Sequence, residues 1–312
     1  MSFGLGFALS VIGGCLEGLW IVPQIYINDW GHEHSWFVFI ISLIVIVCSY
    51  LNSFVENIKY VPEIFYILLC GLAWGFGIIL FGFCDKVFGK GITYTVISTG
   101  TISFGTLIPI IIYNINKLKE TSGIMIIISI VTAIIGLIFI KKADTEKTQF
   151  ELLVHPERHY YDYLKIIMAT LCSMCFGLIY PIGNSVGLEN NVIITLAYFG
   201  AIIPNLIFAL VSIFKNNSFN VFKNHPIHNS IMSIGMALLM FYGNYIYGLS
   251  TEYMDINLSL VIFIVCMVLS SNISSIVLGE YKYVTKKGKM FMVVGIVMFL
   301  ITLLISFLSH EL

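Results

Sequence analysis

The sequence predicts an all-α integral membrane protein whose ten transmembrane helices form an inverted repeat of five plus five. Of its 312 residues, 58% are hydrophobic and 11% are charged, whereas about 25% are charged in a soluble domain. The apolar residues form ten continuous segments near the ~20 residues that a helix needs to cross a bilayer, rather than alternating strands. These segments cover residues 3–23, 36–54, 63–84, 91–115, 122–140, 163–187, 190–214, 229–249, 256–279 and 288–308.

The longest polar stretch, residues 141–162, separates the fifth segment from the sixth. It predicts a first repeat over residues 1–140, a central polar loop over 141–162 and a second repeat over 163–312. Because each half crosses the membrane an odd number of times, the two halves run in opposite directions. Thirteen of the 16 Lys and Arg residues fall in odd-numbered connections. The positive-inside rule therefore puts those connections in the cytoplasm and both termini outside.

The first segment carries the carboxylate Glu17, with no basic residue in the segment to neutralise it. An acidic residue near the centre of a membrane helix costs about 2.5–3.5 kcal/mol on insertion scales, so it is expected to face a cavity or the bundle interior. Trp20 and Gln24 follow on the same helical face. These spacings predict a proton-coupling role for Glu17, next to a solute contacted by Trp20 and Gln24. The alternative is a neutral carboxyl group bonded to a neighbouring helix.

The third and fourth segments contribute an aromatic residue and a polar stripe. Trp74 lies in the middle of its helix, away from the interfaces where tryptophan is usually found, and is predicted either to line a ligand site or to fill the core. Tyr94, Ser98, Thr101 and Gly105 recur on one face of the fourth helix. They predict a lined pathway or, equally, hydroxyl groups that join helices.

Polar groups also concentrate in the sixth, eighth and ninth segments, whereas the second, fifth, seventh and tenth are plainer. Pro181 is expected to break the sixth helix near its middle. Amide and phenol groups suit a polar neutral ligand. The predicted solute contacts in these three segments are Tyr180, Asn184, Tyr242, Asn244, Tyr245 and Asn272.

Several classes of function lack their signatures. Cys172-x-x-Cys175 lies within an apolar segment without a neighbouring His, so we interpret both cysteines as small packing residues. No Gly-Lys-Ser/Thr phosphate loop occurs, and the net charge of −1 indicates no nucleic-acid partner. The sequence therefore predicts no metal, no cofactor and no enzymatic activity.

Two stretches resemble the L-rhamnose–proton symporter family of the drug/metabolite transporter superfamily. One is Leu72–Gly82 with Val87–Gly89 and the Gly-Thr-Leu-Ile-Pro run ending at Pro109. The other is Leu269–Lys282, with Tyr281 in place of the family's usual Trp. The resemblance implies a ten-helix, inverted five-plus-five fold and proton-coupled symport of a sugar such as rhamnose.

The resulting hypothesis is a secondary transporter that moves a small polar solute with protons, as a monomer or homodimer, in a bacterial inner or cell membrane. An exporter or uniporter of drugs, amino acids or nucleotide sugars from the same superfamily is an alternative. A membrane-embedded enzyme and a helical subunit without transport activity are alternatives from other classes.

Overall fold

The computed structural model describes residues 2–20, 22–27, 32–58, 61–88, 90–113, 115, 120–151, 160–216, 226–278 and 284–308. These residues form twelve α-helices and one 3₁₀-helix, and no strand occurs among them. The helices are α1 (Ser2–Leu19), a 3₁₀-helix (Val22–Tyr26), α2 (His32–Ser49), α3 (Leu51–Asn57), α4 (Glu63–Phe88), α5 (Lys90–Tyr113), α6 (Thr121–Glu151), α7 (Tyr160–Met174), α8 (Phe176–Ser185), α9 (Asn190–Lys215), α10 (Ile227–Ser250), α11 (Ile256–Val277) and α12 (Lys286–Leu308).

Seven helical stretches among the described residues are long and apolar enough to cross a membrane, with α7 and α8 counted as one stretch. The others lie in α4, α6 and α9–α12. A bent pair, α2 and α3, meets at 47° and makes an eighth if the two are one span. Two shorter apolar helices lie in α1 and α5. The fold is therefore all-helical, with the spans of a multi-pass membrane protein, as the composition predicts.

Helix boundaries depart from the sequence-based expectation in four places. Helix α1 ends at Leu19, so Trp20 and Gln24 do not continue its helical face as expected. The second segment is divided between α2 and α3. The sixth segment is interrupted at Cys175 instead of at Pro181, which lies inside α8. At the interruption, the N–H of Cys175 bonds to the carbonyl of Cys172, three residues earlier, which is a tighter turn than that of an α-helix. Helix α6 also continues to Glu151, through half of the expected polar loop; residues 152–159 lie outside the described part.

Helix packing places α1 against α10 and α11, and α4 against α9 and α7. Glycines permit these close approaches. A Cβ atom on Gly14 would lie 2.2 Å from the carbonyl oxygen of Phe263 in α11, and one on Gly71 would lie 2.2 Å from that of Ala197 in α9. The backbones of helices from the first and second halves therefore touch directly around the middle of the bundle.

Candidate functional site

A cavity of about 80 Å³ lies at the centre of the bundle, between α1, α4, α5, α7, α8, α10 and α11. A volume of this size accommodates on the order of five water molecules. Seven of the residues that the sequence predicts as site residues line it together: Glu17, Trp20, Trp74, Tyr94, Ser98, Thr101 and Asn244. The structure thus brings the lone carboxylate of α1 and the stripe of α5 to the same space.

Glu17 is 7% exposed and is held by an amide from the other half of the chain. Its Oε2 accepts a hydrogen bond from Nδ2 of Asn244 in α10, at 3.2 Å. The close approach depends on Gly243, where a Cβ atom would lie 2.8 Å from the backbone nitrogen of Glu17. The carboxylate is therefore both bonded to a neighbouring helix and part of the cavity wall, so the two alternatives for Glu17 are compatible.

Asn244 belongs to a wider hydrogen-bonded group. Its Nδ2 lies 3.0 Å from the hydroxyl of Tyr198 and 2.9 Å from the carbonyl of Met240, and the Tyr198 hydroxyl donates to that same carbonyl at 3.0 Å. The Oδ1 atom of Asn244 is buried and has no hydrogen-bond partner among the described residues. A buried acceptor without a donor is uncommon in native structures, and this one belongs to a residue that lines the cavity.

Trp20 and Tyr94 tie α1 to α5 at the edge of the cavity. The indole N–H of Trp20 donates to the Tyr94 hydroxyl at 3.2 Å, and that hydroxyl donates to the backbone carbonyl of Glu17 at 3.4 Å. The Trp20 ring stacks on Phe39, with centroids 6.1 Å apart. This chain of contacts fixes the backbone that carries the carboxylate.

Aromatic rings form the opposite wall. Trp74 lies 5.1 Å from Phe176 and 5.2 Å from Tyr198, measured between ring centroids. Phe176 in turn lies 6.1 Å from Phe263. Trp74 thus both fills the core and faces the cavity, and the site combines apolar ring faces with a few polar groups, as small-molecule pockets commonly do.

The polar stripe of α5 divides between the two predicted roles. Tyr94, Ser98 and Thr101 line the cavity, and Thr101 also donates to the carbonyl of Ile97 in its own helix at 3.0 Å. A Cβ atom on Gly105 would lie 3.2 Å from the Cα atom of Gly177, so this end of the stripe packs against α8. Pro109 lies inside α5, which is continuous to Tyr113.

Three predicted contacts occupy a different region, towards the C-terminal end of α10. The Tyr180 hydroxyl donates to the backbone carbonyl of Asn244 at 3.0 Å, and Tyr180 is not among the residues that line the central cavity. Asn184 is exposed and donates to Thr251 at 3.3 Å. Asn184 and Tyr245 line a separate pocket of about 180 Å³.

Two further predicted contacts, Tyr242 and Asn272, lie away from both pockets. Tyr242 is 40% exposed, one residue from the buried Phe241, because it is on the opposite face of α10 from the bundle centre. Asn272 donates to the carbonyl of Val268 in its own helix at 2.8 Å. The side chain of Gln24 lies outside the described residues. We therefore restrict the candidate site to the residues around the central cavity.

Tyr198 in α9 is a site residue that the sequence did not indicate. The seventh segment is mostly apolar. A single tyrosine in such a segment does not form a pattern of polar residues at helical spacing, which is what would indicate a polar face. Its position next to Asn244 follows from the packing of α9 against α4, where Gly71 and Gly75 meet the backbone at Ala197 and Ala201. The Tyr198 hydroxyl reaches α10, where it bonds to Met240 and lies next to Asn244.

The cavity is closed on the side of the N-terminus of α1. There, Ser10 lies 2.9 Å from both Ser250 and Ser259, and these two hydroxyls bond to each other. Between this serine cluster and the cavity, Tyr247 stacks on Phe263 with centroids 4.5 Å apart. Residues from α1, α10 and α11 thus seal one end of the site.

No protein-family model matches the chain, and no curated protein matches it in sequence.

Proposed function

We propose that the protein is a proton-coupled secondary transporter of a small polar organic solute, with the ten-helix inverted repeat of the drug/metabolite superfamily. The observation that carries this proposal is the position of Glu17. It is a membrane-embedded carboxylate on the wall of a central cavity, bonded to an asparagine from the other half of the chain. An ionisable group within a membrane span is a candidate for function by default.

The ten-helix arrangement follows if α2 with α3, and α7 with α8, each form one span, and if α1 and α5 also cross. The packing pattern supports the repeat. In an inverted repeat, each span of one half corresponds to the span five positions away in the other half. The contact between α1 and α11 then corresponds to the contact between α7–α8 and α5. The contact between α4 and α9 corresponds to the contact between α10 and α2. Likewise, α1 on α10 becomes α7–α8 on α4, and α6 on α12 pairs with itself. All these contacts occur, as an inverted repeat requires.

The proton role rests on the surroundings of Glu17. None of the described residues that line the cavity is Lys, Arg or His, and the carboxylate has a neutral amide as its hydrogen-bond donor. The phenols of Tyr94 and Tyr198 are the titratable groups that interact with it. A buried charge without a cation is expensive, so protonation lets the carboxyl group stay buried in the cavity wall. When the Glu17 carboxyl group is exposed to water on either side of the membrane, release of its proton is favoured.

The class of solute is inferred from the polar and aromatic groups around the cavity that could bind it. The carboxylate and Oδ1 of Asn244 are acceptors, Ser98 offers a hydroxyl group, and Trp74 offers a ring face. A neutral polyhydroxylated molecule satisfies such a set, and a monosaccharide is the first choice. Coupling requires that proton and solute stabilise the same conformation, which is a free-energy link between the two sites.

A second candidate is a transporter of organic amines, which is one form of the drug or metabolite exporter. The observation in its favour is that a single carboxylate stands among several aromatic rings, including Trp20, Trp74 and Phe176. A cation over aromatic faces gains about 0.5–2 kcal/mol. A nucleotide sugar is disfavoured, because no described cation lines the cavity to hold its diphosphate.

Other classes of protein find less support. A membrane-embedded enzyme needs several converging ionisable groups, and the described lining of the cavity offers only Glu17 with the phenol of Tyr94. A subunit without transport activity would not need a carboxylate on the wall of an internal cavity. A ligand that stabilises the isolated protein would argue against this second alternative.

The test has two stages. A thermal-shift screen of the purified protein against neutral sugars, amines and amino acids identifies a ligand. Uptake of that ligand into proteoliposomes is then measured with and without an imposed pH gradient. We expect Glu17→Gln to abolish accumulation driven by the gradient, and Glu252→Gln, which alters an exposed acid after α10, to leave it unchanged. Gradient-driven accumulation that survives Glu17→Gln would refute the proton role. Stabilisation by amines alone would favour the second candidate.

A further inference from the structure

A second, larger cavity opens on the outer side of the bundle, between α2, α4 and α9. Its volume is about 400 Å³, several times that of the central cavity, and it shares no described lining residue with that cavity. The two are lined by different residues of α4: Ile78 and Phe81 face the central cavity, whereas Gly82 and Phe83 face this groove. Occupation of the groove therefore does not depend on the transport function.

The long wall of this groove is apolar and accessible from the lipid side. Phe83 of α4 and Phe208 of α9 pack edge to face, with ring centroids 5.6 Å apart. Phe83 is 42% and Val211 57% exposed, and in a membrane span exposure of this kind means contact with hydrocarbon chains. Gly82 leaves the groove open, because a Cβ atom there would have no neighbour within 4 Å.

Polar groups gather at one end of the same groove. Lys215 is the last residue of α9 and lines the groove together with Ser212 and Asn216. At the start of α2, the indole N–H of Trp36 is buried and has no hydrogen-bond partner among the described residues. The ammonium group of Lys215 and the hydroxyl group of Ser212 thus lie at the end of a hydrocarbon-lined slot that Trp36 also lines, with its unpaired indole N–H buried.

The charge distribution identifies the membrane face at which these groups lie. The connections that follow α4 and α9 and the one that precedes α2 are odd-numbered, and the odd-numbered connections hold thirteen of the 16 basic residues. The positive-inside rule puts this face in the cytoplasm. The cytoplasmic leaflet is the one that carries anionic lipids, and a lysine near its surface contributes about 1 kcal/mol of attraction.

We propose that the groove between α2, α4 and α9 binds one anionic phospholipid from the cytoplasmic leaflet. Lys215 and Trp36 hold the headgroup phosphate, and an acyl chain lies along Phe83 and Phe208. Charge complementarity selects the lipid, since a zwitterionic lipid gains less from Lys215, and an acyl chain alone makes no use of the Trp36 donor.

The first experiment measures lipid binding to the purified, delipidated protein by native mass spectrometry. Phosphatidylglycerol and phosphatidylcholine with identical chains are compared. We expect Lys215→Gln to weaken phosphatidylglycerol binding on the order of fivefold and to leave phosphatidylcholine binding unchanged. Lys141→Gln removes an exposed lysine at the same predicted face, from α6, and is the matched control that retains wild-type binding. Equal losses in the two variants would overturn the proposal.

The second experiment fills the groove. Gly82→Leu adds a side chain where the structure has open space, and we expect it to reduce the binding of both lipids. Gly235→Leu, in α10, is the matched control, because a Cβ atom there also has no neighbour within 4 Å. Thermal stability without lipid checks that both variants fold. Unchanged lipid binding by a folded Gly82→Leu variant would contradict the acyl-chain site.

The third experiment separates a lipid from other occupants. Phosphatidylglycerol with brominated chains is expected to quench tryptophan fluorescence in the wild type, and Trp36→Phe to remove most of the lipid-dependent change. Inorganic phosphate at millimolar concentration should not compete. Competition by phosphate would indicate a free-anion site, and equal quenching in Trp36→Phe would place the lipid elsewhere. Either result would refute the assignment.

Discussion

Two contacts between the halves of the chain use the same kinds of residue, but only one of them has its polar side chains paired with one another. Along α6 and α12, small residues and hydroxyl groups interlock: Thr302 donates to Thr132 at 2.9 Å, and Ser306 donates to Ser129 at 3.2 Å. Gly295 leaves room for Ile140, whose side chain would lie 2.8 Å from an added Cβ atom. The polar groups in this contact bond to one another.

The contact of α1 with α10 and α11 also combines glycines with polar side chains, but it borders open space. Asn244 bonds to Glu17 through its amide nitrogen, and its amide oxygen has no described partner. The two contacts therefore differ in whether all their polar groups are paired. Hydroxyls that satisfy each other join helices, whereas a buried polar atom left over at a cavity marks a site.

The largest expected effect comes from the backbone contact of α1. Gly14→Ala would put a Cβ atom 2.2 Å from the Phe263 carbonyl and 2.8 Å from Cβ of Cys266. Because a backbone atom cannot rotate away, α1 must shift, and we expect a loss of about 3 kcal/mol, at the upper end for overpacking. Gly136→Ala meets ring atoms of Phe299 at 3.1 Å and should cost less.

Thermal denaturation in detergent measures this difference. Gly4→Ala is the control within α1, since its Cβ atom would have no neighbour within 4 Å, and alanine is the better helix former. It should match or exceed the wild type. Equal midpoints for Gly14→Ala and Gly4→Ala would mean that the close approach of α1 and α11 is absent.

An intermediate effect is expected when the amide at the cavity is removed. Asn244→Leu deprives Glu17 and Tyr198 of their shared donor, and it should lower stability by about 1–2 kcal/mol and abolish binding of the solute found in the thermal-shift screen. Thr302→Val removes a donor from the α6–α12 contact and should cost about 0.6 kcal/mol with binding intact. Loss of solute binding in Thr302→Val, or its retention in Asn244→Leu, would invalidate the distinction between the two contacts.

The smallest effect concerns the end of α6 beyond the membrane. Glu146 accepts from the Thr285 hydroxyl at 3.0 Å and lies 3.3 Å from the ammonium group of Lys287. The Thr285 hydroxyl and then Lys287 hold the pKa of Glu146 below its usual value of 4.5. This contribution to stability is present above pH 4.5 and is lost as the pH falls through the lowered pKa.

Glu146→Gln should therefore lower the denaturation midpoint slightly at pH 7 and bring no change at a pH well below the lowered pKa of Glu146. Because the pair is exposed, high salt should reduce the difference further. A deficit at pH 7 that persists unchanged under acid conditions would show that Glu146 acts through something other than its charge.

Some features of the site could be predicted from the sequence because they are local. The depth of Glu17 follows from the length of its apolar segment, and Tyr94, Ser98 and Thr101 share a face because of helical periodicity. The positions of Tyr242 and Asn272 were harder to predict. A run of tyrosines and amides in one helix indicates a polar surface without stating which neighbour covers each face, and Tyr242 lies on the exposed face.

The sequence by itself determined that the chain lies in a lipid bilayer and that its long apolar segments are helices. In a bilayer every backbone polar group must be paired within its segment, and a helix achieves this. Only the tertiary structure decided that Tyr198 joins Asn244, that the sixth segment breaks at Cys175, and that Glu17 faces a cavity. Those features depend on which helices meet and how closely their glycines allow them to approach, and such pairings involve residues far apart in the chain.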